Sequence, residues 1–238
     1  MKLFCMRGVD AMMSYDTWKQ LAATASVKLV QDGMVVGLGT GSTAAFMIHA
    51  LAQRIQEGLR IVGAVASSQA SQDLAAQLSI PLTDLETHPE LDLYIDGTDE
   101  IDPQLRLLKG GGGALLREKI LATSSKRFIV IADSSKRVAQ LGQNFAVPVE
   151  TVPFALTPVR KRLESLEAVV SVRKRGDSTF ITENGNIILD CVFPNAVANP
   201  EDMDARMQSI VGVIETGFFL HLAQQAFIGG PDGVTVLA

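Results

Sequence analysis

Four short apolar runs set the terms for the first half of the chain: MVVGLG from Met34, RIVGAVASS from Arg60, LDLYIDG from Leu91 and KRFIVIAD from Lys126. They do not alternate polar with apolar, as a strand wet on one face does. Near-continuous apolar runs of this length suit strands buried on both faces, as in a parallel sheet. Helical patterns lie between them. Ser42 to Glu57 carries a stripe of Ala45, Ile48, Leu51, Ala52 and Ile55, with Gly58 as a C-cap. SQDLAAQLS and GALLREKILATS follow the next two strands, and Trp18 to Val30 precedes the first, stopped by Asp32-Gly33. Strand and helix in alternation predict parallel β-α-β units and an open sheet covered on both faces. Such sheets bind ligands at the carboxyl ends of their strands.

The pattern changes at NFAVPVETVPFALTP, where Pro148, Pro153 and Pro158 punctuate a boundary. Beyond it, AVPVE, helix VRKRLESL, strand VVSVRK, a hairpin TFITENGNIILD turning at Asn184-Gly185, helix PEDMDARMQSI and strand VIETGFF give the order β-α-β-β-α-β. The tail AFIGGPDGVTVLA reads as two strands around Pro-Asp-Gly that return to the first sheet. The expected fold is therefore α/β: an open, mostly parallel Rossmann-like sheet with an inserted small split-βαβ (ferredoxin-like) α+β domain. Residues 14–145 form the first domain, completed by strands in 225–238, and residues 146–224 form the insertion. Residues 1–13 read as an unstructured extension without the long apolar core of a secretory signal.

Composition narrows the function. With 21 Lys plus Arg against 26 Asp plus Glu, the net charge of -5 does not favour nucleic acid. No apolar run approaches the length of a membrane span. Cys5 and Cys191 are few and far apart, which suits a reducing compartment and offers no metal-ligand spacing. His49, His88 and His221 show no such spacing either.

Three stretches at the predicted sheet rim carry the chemistry. GLGTGST, Gly37 to Thr43, joins a strand to a helix. Its glycines, the helix N-terminus and the hydroxyls of Thr40, Ser42 and Thr43 suit a phosphate, although a tight turn with Ser42 or Thr43 as N-cap is the ordinary reading. It lacks the lysine of a Walker loop, and Ser42 stands where the third glycine of a dinucleotide fingerprint belongs. Next, Asp96, Asp99, Glu100 and Asp102 follow the strand LDLYI. Such carboxylates hold sugar hydroxyls, move protons or bind Mg²⁺, or simply cap an acidic turn. Third, Lys109 precedes four glycines, Gly110 to Gly113, that run into a helix. Each costs about 0.5–1 kcal/mol of chain entropy relative to alanine. Exposed N–H groups aimed at a developing oxyanion, with the Lys109 charge, offset that cost; a flexible linker is the alternative. On residue pattern alone Glu118 reads as a solvated helix glutamate, and Lys19 and Lys136 as surface lysines.

GLGTGST, YIDGTDEID, LKGGGGALLREK and IADSSK, in that order and at these separations, resemble the ribose-5-phosphate isomerases of type A. The resemblance extends from about Trp18 to the terminal GPDGV, and it overturns the ordinary readings of Glu118 and Lys136. It implies interconversion of D-ribose 5-phosphate and D-ribulose 5-phosphate through an enediolate, in the non-oxidative branch of the pentose phosphate pathway, with no metal and no organic cofactor. It implies Glu118 as general base, with Lys109, Asp96 and Asp99 completing the catalytic set. Substrate would meet Lys19, Thr40, Gly41, Ser42, Thr43, Gly97, Thr98, Gly110, Gly111, Gly112 and Lys136 as well. Thr98 and Gly113 stand where alanine is common in that family. The resemblance further implies a cytoplasmic homodimer or higher homo-oligomer that meets a phosphosugar, and neither nucleic acid nor membrane.

That chemistry is physically coherent. One carboxylate on one face of a planar enediolate can shuttle the proton, while a lysine and backbone N–H groups hold the oxyanion. A phosphate held remotely supplies binding energy. A phosphosugar sensor would lose the base, and the chain shows no helix-turn-helix. An aminosugar-phosphate deaminase would be expected to carry a working histidine, a coenzyme-A transferase a nucleophilic glutamate in another setting, and a dehydrogenase a complete fingerprint.

Overall fold

The computed structural model describes residues 7–238. The elements of the first half are α1 (Arg7–Ser26), β1 (Val35–Leu38), α2 (Ser42–Gln56), β2 (Gly63–Ala66), α3 (Gln69–Gln77), β3 (Leu93–Gly97), β4 (Glu100–Ile101), β5 (Leu107–Leu108), α4 (Leu115–Thr123) and β6 (Phe128–Asp133). The second half contains β7 (Val147–Thr151), α5 (Leu156–Glu164), β8 (Val169–Val172), β9 (Lys174–Arg175), β10 (Ser178–Thr179), β11 (Ile187–Val192), α6 (Pro200–Gln208), β12 (Val213–Thr216), β13 (Phe218–Phe219), β14 (Gln225–Gly230) and β15 (Gly233–Leu237).

The main sheet has six strands in the order β15-β14-β6-β3-β1-β2. All pairs are parallel except β14 with β15. Every residue of β1, β3 and β6 is buried, as their continuous apolar runs require. Two cores lie against this sheet. One packs Val36, Leu38, Ile95 and Ile131 under α1, α2 and α3; the other packs Tyr94, Phe128, Val130 and Phe219 with Leu121 of α4. The buried stripe of α2 is Ala44, Met47, Ile48, Leu51 and Ala52, rotated slightly from the expected one. Gly229 of β14 is required by contact: a Cβ there would lie 1.9 Å from the carbonyl of Trp18, so α1 rests directly on the strand backbone.

A second sheet has the order β12-β7-β11-β8 and is antiparallel throughout. With α5 and α6 it realises the split βαβ connectivity. Three expectations need correction. TFITENGNIILD is not a regular hairpin: β10 pairs with β9, and the Asn184-Gly185 turn is closed by an isolated Ile181–Ile187 bridge and by the Thr182 N–H bonded to the Asn186 carbonyl at 2.8 Å. β8 occupies one edge of β11 from Leu189 to Val192, so residues 178–180 pair back on Lys174, Arg175 and Arg173 across the Gly176-Asp177 turn. VIETGFF is not one strand. It breaks at Gly217, whose N–H donates to the Pro148 carbonyl (2.7 Å) and whose carbonyl accepts the Lys109 N–H (2.9 Å). The chain thereby moves to a small third sheet, β13-β5-β4. Last, α1 starts at Arg7, so 7–13 belong to a helix rather than to an unstructured extension; Ala11-Met12-Met13 are strong helix formers running unbroken into it. The rest of that extension, 1–6, lies outside the described residues. No described helix is long and apolar enough to cross a membrane.

Candidate active site

The carboxyl ends of β1, β3 and β6, together with the start of α4, enclose a cleft of about 140 Å³. Its first wall is the loop after β1. Gly39 has to be glycine because a Cβ would sit 2.0 Å from Asp96 Oδ1. Gly41, at φ +97°, takes the left-handed turn that starts α2. Ser42 and Thr43 line the cleft at the helix N-terminus. Thr40 lines the cleft as well, with its hydroxyl turned to Ser67 Oγ at 2.7 Å and Ser68 Oγ at 2.9 Å after β2.

The four carboxylates after β3 separate into different roles. Asp96 is fully buried and does not line the cleft, contrary to the expectation that it meets substrate. Its Oδ1 accepts the N–H groups of Thr40 (2.9 Å) and Gly97 (2.6 Å), and its Oδ2 accepts the Tyr94 phenol and Lys109 Nζ (2.9 Å). Burial, with Asp96 beside it, raises the Tyr94 pKa far above its ordinary value, so the phenol stays a donor. Asp99 does line the cleft and accepts the Gly111 N–H at 2.8 Å. Glu100 is structural, gathering the N–H groups of Gly142, Asn144 and Phe145 at 2.6, 2.6 and 2.9 Å. Asp102 is structural too, paired with Arg106 Nε at 2.7 Å. For Asp102, which accepts the N–H groups of Gln104 and Arg106, the capping reading holds; Glu100 instead ties down the distant 142–145 loop. Gly97 lines the cleft beside Thr98, whose hydroxyl is held by the Glu100 carbonyl at 2.6 Å.

Lys109 and Glu118 form the floor. Lys109 Nζ donates to the Gly97 carbonyl (2.6 Å) and to Asp96, and it lies 3.2 Å from Glu118 Oε2. Burial works against its charge, but Asp96 and Glu118 more than offset this and raise its pKa, so the ammonium persists. Glu118 is 4 % exposed. Its Oε2 is charge-paired with Lys109 but off the hydrogen-bonding direction, and has no hydrogen bond among the described residues. Burial lifts the Glu118 carboxyl to about 7; Lys109 opposes the shift and Asp96 reinforces it. The sequence did contain a signal for this residue. Leu115, Glu118, Leu121 and Ala122 make the buried stripe of α4, so Glu118 occupies an apolar position. Ser67, Ser68 and Tyr94 are contributors that residue pattern did not single out.

The glycine run closes the cleft. Gly110 and Gly113 are left-handed, at φ +105° and +85°, and a Cβ on Gly113 would meet the Phe180 ring at 2.4 Å. Gly110, Gly111 and Gly112 line the cavity. Lys136, in a short turn after β6, and Lys19 on α1, which is paired with Asp16 at 3.1 Å, also line the cleft. The expected residues thus converge on one cleft, with Asp96 behind it. Among the described residues, no group of three or more His, Cys, Asp or Glu could hold a metal ion.

A buried acid with a near-neutral pKa, a buried ammonium and an anion-friendly helix start in one small cleft define a site for proton transfer on a small anionic molecule. Known proteins carry the same arrangement of chain. The family model described as ribose 5-phosphate isomerase A (phosphoriboisomerase A) matches residues 63–233. The chain is 50% identical over 216 residues to ribose-5-phosphate isomerase A of Bacillus mycoides, covering 91% of this chain and 97% of the relative. Among solved structures, a D-ribose-5-phosphate isomerase in complex with phospho-erythronic acid superposes with a TM-score of 0.90 at 36% identity, covering 94% of this chain and 98% of that one. Ribose 5 phosphate isomerase A from Neisseria gonorrhoeae gives 0.87 at 38% identity, covering 94% and 96%. With sequence, fold and cleft in agreement, the chain belongs to the ribose 5-phosphate isomerase A family.

Proposed function

We propose that Glu118 is the proton carrier of an aldose–ketose isomerase that interconverts D-ribose 5-phosphate and D-ribulose 5-phosphate. The observation that carries the assignment is the buried Glu118–Lys109 pair, 3.2 Å apart, flooring a cleft that Lys136 and the start of α2 also line. With the open-chain aldose bound, the Glu118 carboxylate takes the C2 proton. The C2–H electron pair becomes the C1=C2 double bond while the C1=O1 π pair moves onto O1, giving an enediolate. Glu118 returns the proton to C1 while the hydroxyl proton moves from O2 to O1, and the ketose results with atoms and charge balanced. A carboxyl poised at about 7 suits both directions of this shuttle.

Lys109 neutralises the developing oxyanion. The N–H groups of Gly111 and Gly113 are already taken, by Asp99 and by the Gly110 carbonyl, so Gly110 and Gly112 are left as backbone donors. Asp99, facing the cleft, orients hydroxyls and assists ring opening. Asp96, behind Lys109, acts by fixing the ammonium. The phosphate sits against Gly41, Ser42 and Thr43 with Lys136, and Lys19 closes that end. The phospho-erythronic acid bound in the similar isomerase is an acid with a phosphate, which suits a cleft lined by several cationic groups. This reading needs neither metal nor organic cofactor, and it places the protein in the cytoplasm as a homodimer or higher homo-oligomer. It also divides the chain into a catalytic unit, 14–145 with 225–238, and an inserted unit, 146–224.

The test is incubation of purified protein with ribose 5-phosphate, with ketose measured, alongside Glu118→Gln. Ketose from the parent and its loss in the variant support the assignment. Parent-level turnover by the variant removes Glu118 from the mechanism.

A further inference from the structure

The glycine loop is gripped from outside the catalytic unit. Arg173, at the end of β8, sends Nη1 to the Gly110 carbonyl at 2.5 Å and to the Gly111 carbonyl at 3.3 Å. The same guanidinium is held by Asp190 of β11, with Nε donating to Oδ2 at 2.9 Å and Nη2 to Oδ1. Its side chain is only 13% exposed. The planar fork therefore joins a carboxylate of the inserted sheet to two consecutive peptide carbonyls of the active-site loop.

In a trans peptide the carbonyl and the following N–H point in opposite directions. The Gly110–Gly111 peptide is fixed at both ends: Arg173 and the Gly113 N–H (3.0 Å) hold its oxygen, and Asp99 takes its N–H at 2.8 Å. The Gly111–Gly112 peptide has its oxygen turned to Arg173, so the Gly112 N–H must face the other way. Gly112 lines the cleft there, with the Thr40 methyl 3.7 Å from the place where a Cβ would be. A run of glycines has little intrinsic preference between the two peptide orientations. Something outside the loop must choose between them.

We infer that Arg173, held by Asp190, is a positioning residue that fixes the peptide orientation of the glycine loop and aims the Gly112 N–H at the substrate oxyanion. The inference rests on the proposed reading of the cleft. It gives the inserted unit a part in the reaction: the unit supplies the clamp that preorganises a donor for charge that exists only during turnover. Loss of the clamp lowers kcat more than it weakens ground-state binding, because the phosphate end is untouched.

The test is steady-state kinetics on Arg173→Ala, Arg173→Lys and Asp190→Asn, with Glu118→Gln as reference. Removing one oxyanion donor outright costs roughly 10²–10³ in kcat. Misaiming it should cost less, about 10- to 100-fold for Arg173→Ala, with KM changed by less than about threefold. Arg173→Lys keeps the charge without the fork and should fall between parent and Arg173→Ala, as should Asp190→Asn. Added guanidinium ion should restore part of the Arg173→Ala turnover, which general loosening of the fold does not predict. Inhibition by inorganic phosphate should be unchanged throughout. Should Arg173→Ala fail to fold, Arg173→Lys and Asp190→Asn decide. Parent kcat in folded Arg173 variants, with Glu118→Gln inactive, overturns the inference and leaves the proposed site intact. Activity in Glu118→Gln overturns the site itself.

Discussion

At Glu118 two influences oppose each other. Burial favours the neutral acid and Lys109 favours the carboxylate; the balance at about 7 lies above the ordinary 4.5. General-base loss costs roughly 10²–10⁴-fold, so kcat of Glu118→Gln should fall by that order while substrate still binds, as a competition assay can read. The pH dependence has a definite sign. The base form disappears as pH falls through about 7, so kcat/KM of the free enzyme should drop about tenfold per unit below that point. Stability runs the other way. The folded state holds its proton to higher pH than the unfolded chain, so this group's favourable contribution is complete below about 4.5 and is lost as pH rises through about 7. Urea midpoints of the parent and Glu118→Gln should therefore shift against each other across that window, in favour of the variant as pH rises. In the same cleft, Lys136→Ala should raise KM with a smaller effect on kcat, and unphosphorylated ribose should be a very poor substrate. Equal efficiency with free ribose would remove the phosphate role from Lys136. The sequence displayed these residues unevenly. Lys109 stands out because four glycines follow it, whereas Glu118, on the apolar stripe of a short helix between two basic neighbours, is picked out only by the family resemblance. Asp96 looked like a substrate ligand because its position at a strand end is visible in sequence and its saturation by Tyr94, Thr40, Gly97 and Lys109 is not.

Among the elements, the glycine-rich segments show why a composition signal can be right for mixed reasons. Gly39 and Gly113 are required by close approach, to Asp96 and Phe180, whereas Gly112 has only an ordinary 3.7 Å neighbour. Gly113→Ala combines a left-handed φ with a ring collision, and should cost about 1–3 kcal/mol of stability. Gly112→Ala should cost under about 1 kcal/mol, the entropy difference working in its favour. Denaturant unfolding of the two variants side by side measures this contrast, and equal losses would mean that the loop relaxes freely. The strands of the main sheet were legible because full burial writes itself as an apolar run, and the helices because their stripes are regular. The split of VIETGFF and the lost hairpin were not legible. The split depends on which strand edges are already occupied, a property of the assembled sheet that no local window contains, whereas the hairpin gave way to a nearer pairing of β9 with β10 across Gly176-Asp177.

For the molecule as a whole, ligand linkage offers a test that does not need turnover. In the proposed reading of the cleft, phospho-erythronic acid at 100 times its Kd should stabilise the folded state by about 2.7 kcal/mol, read as a rise in urea midpoint. Exhaustive chelation should leave both that rise and the isomerase rate unchanged, since Lys109 and backbone N–H groups carry the oxyanion in this reading; restoration of a lost rate by Mg²⁺ or Zn²⁺ would return the acidic loop to consideration as a metal site. The order in which strands meet has a further consequence. β14 lies between β6 and β15, yet in the chain it follows the whole inserted sheet, and α1, which precedes β1, rests its Trp18 carbonyl on Gly229 of that strand. During synthesis α1 can pack on β1, α2 and β6 as soon as they are made, but its seat on β14 forms only after the whole inserted sheet has followed. The inserted sheet, β7 to β12, is contiguous in the chain and can close earlier. The part of α1 that rests on β14 is therefore uncovered until that strand arrives, and it is a surface a chaperone would meet.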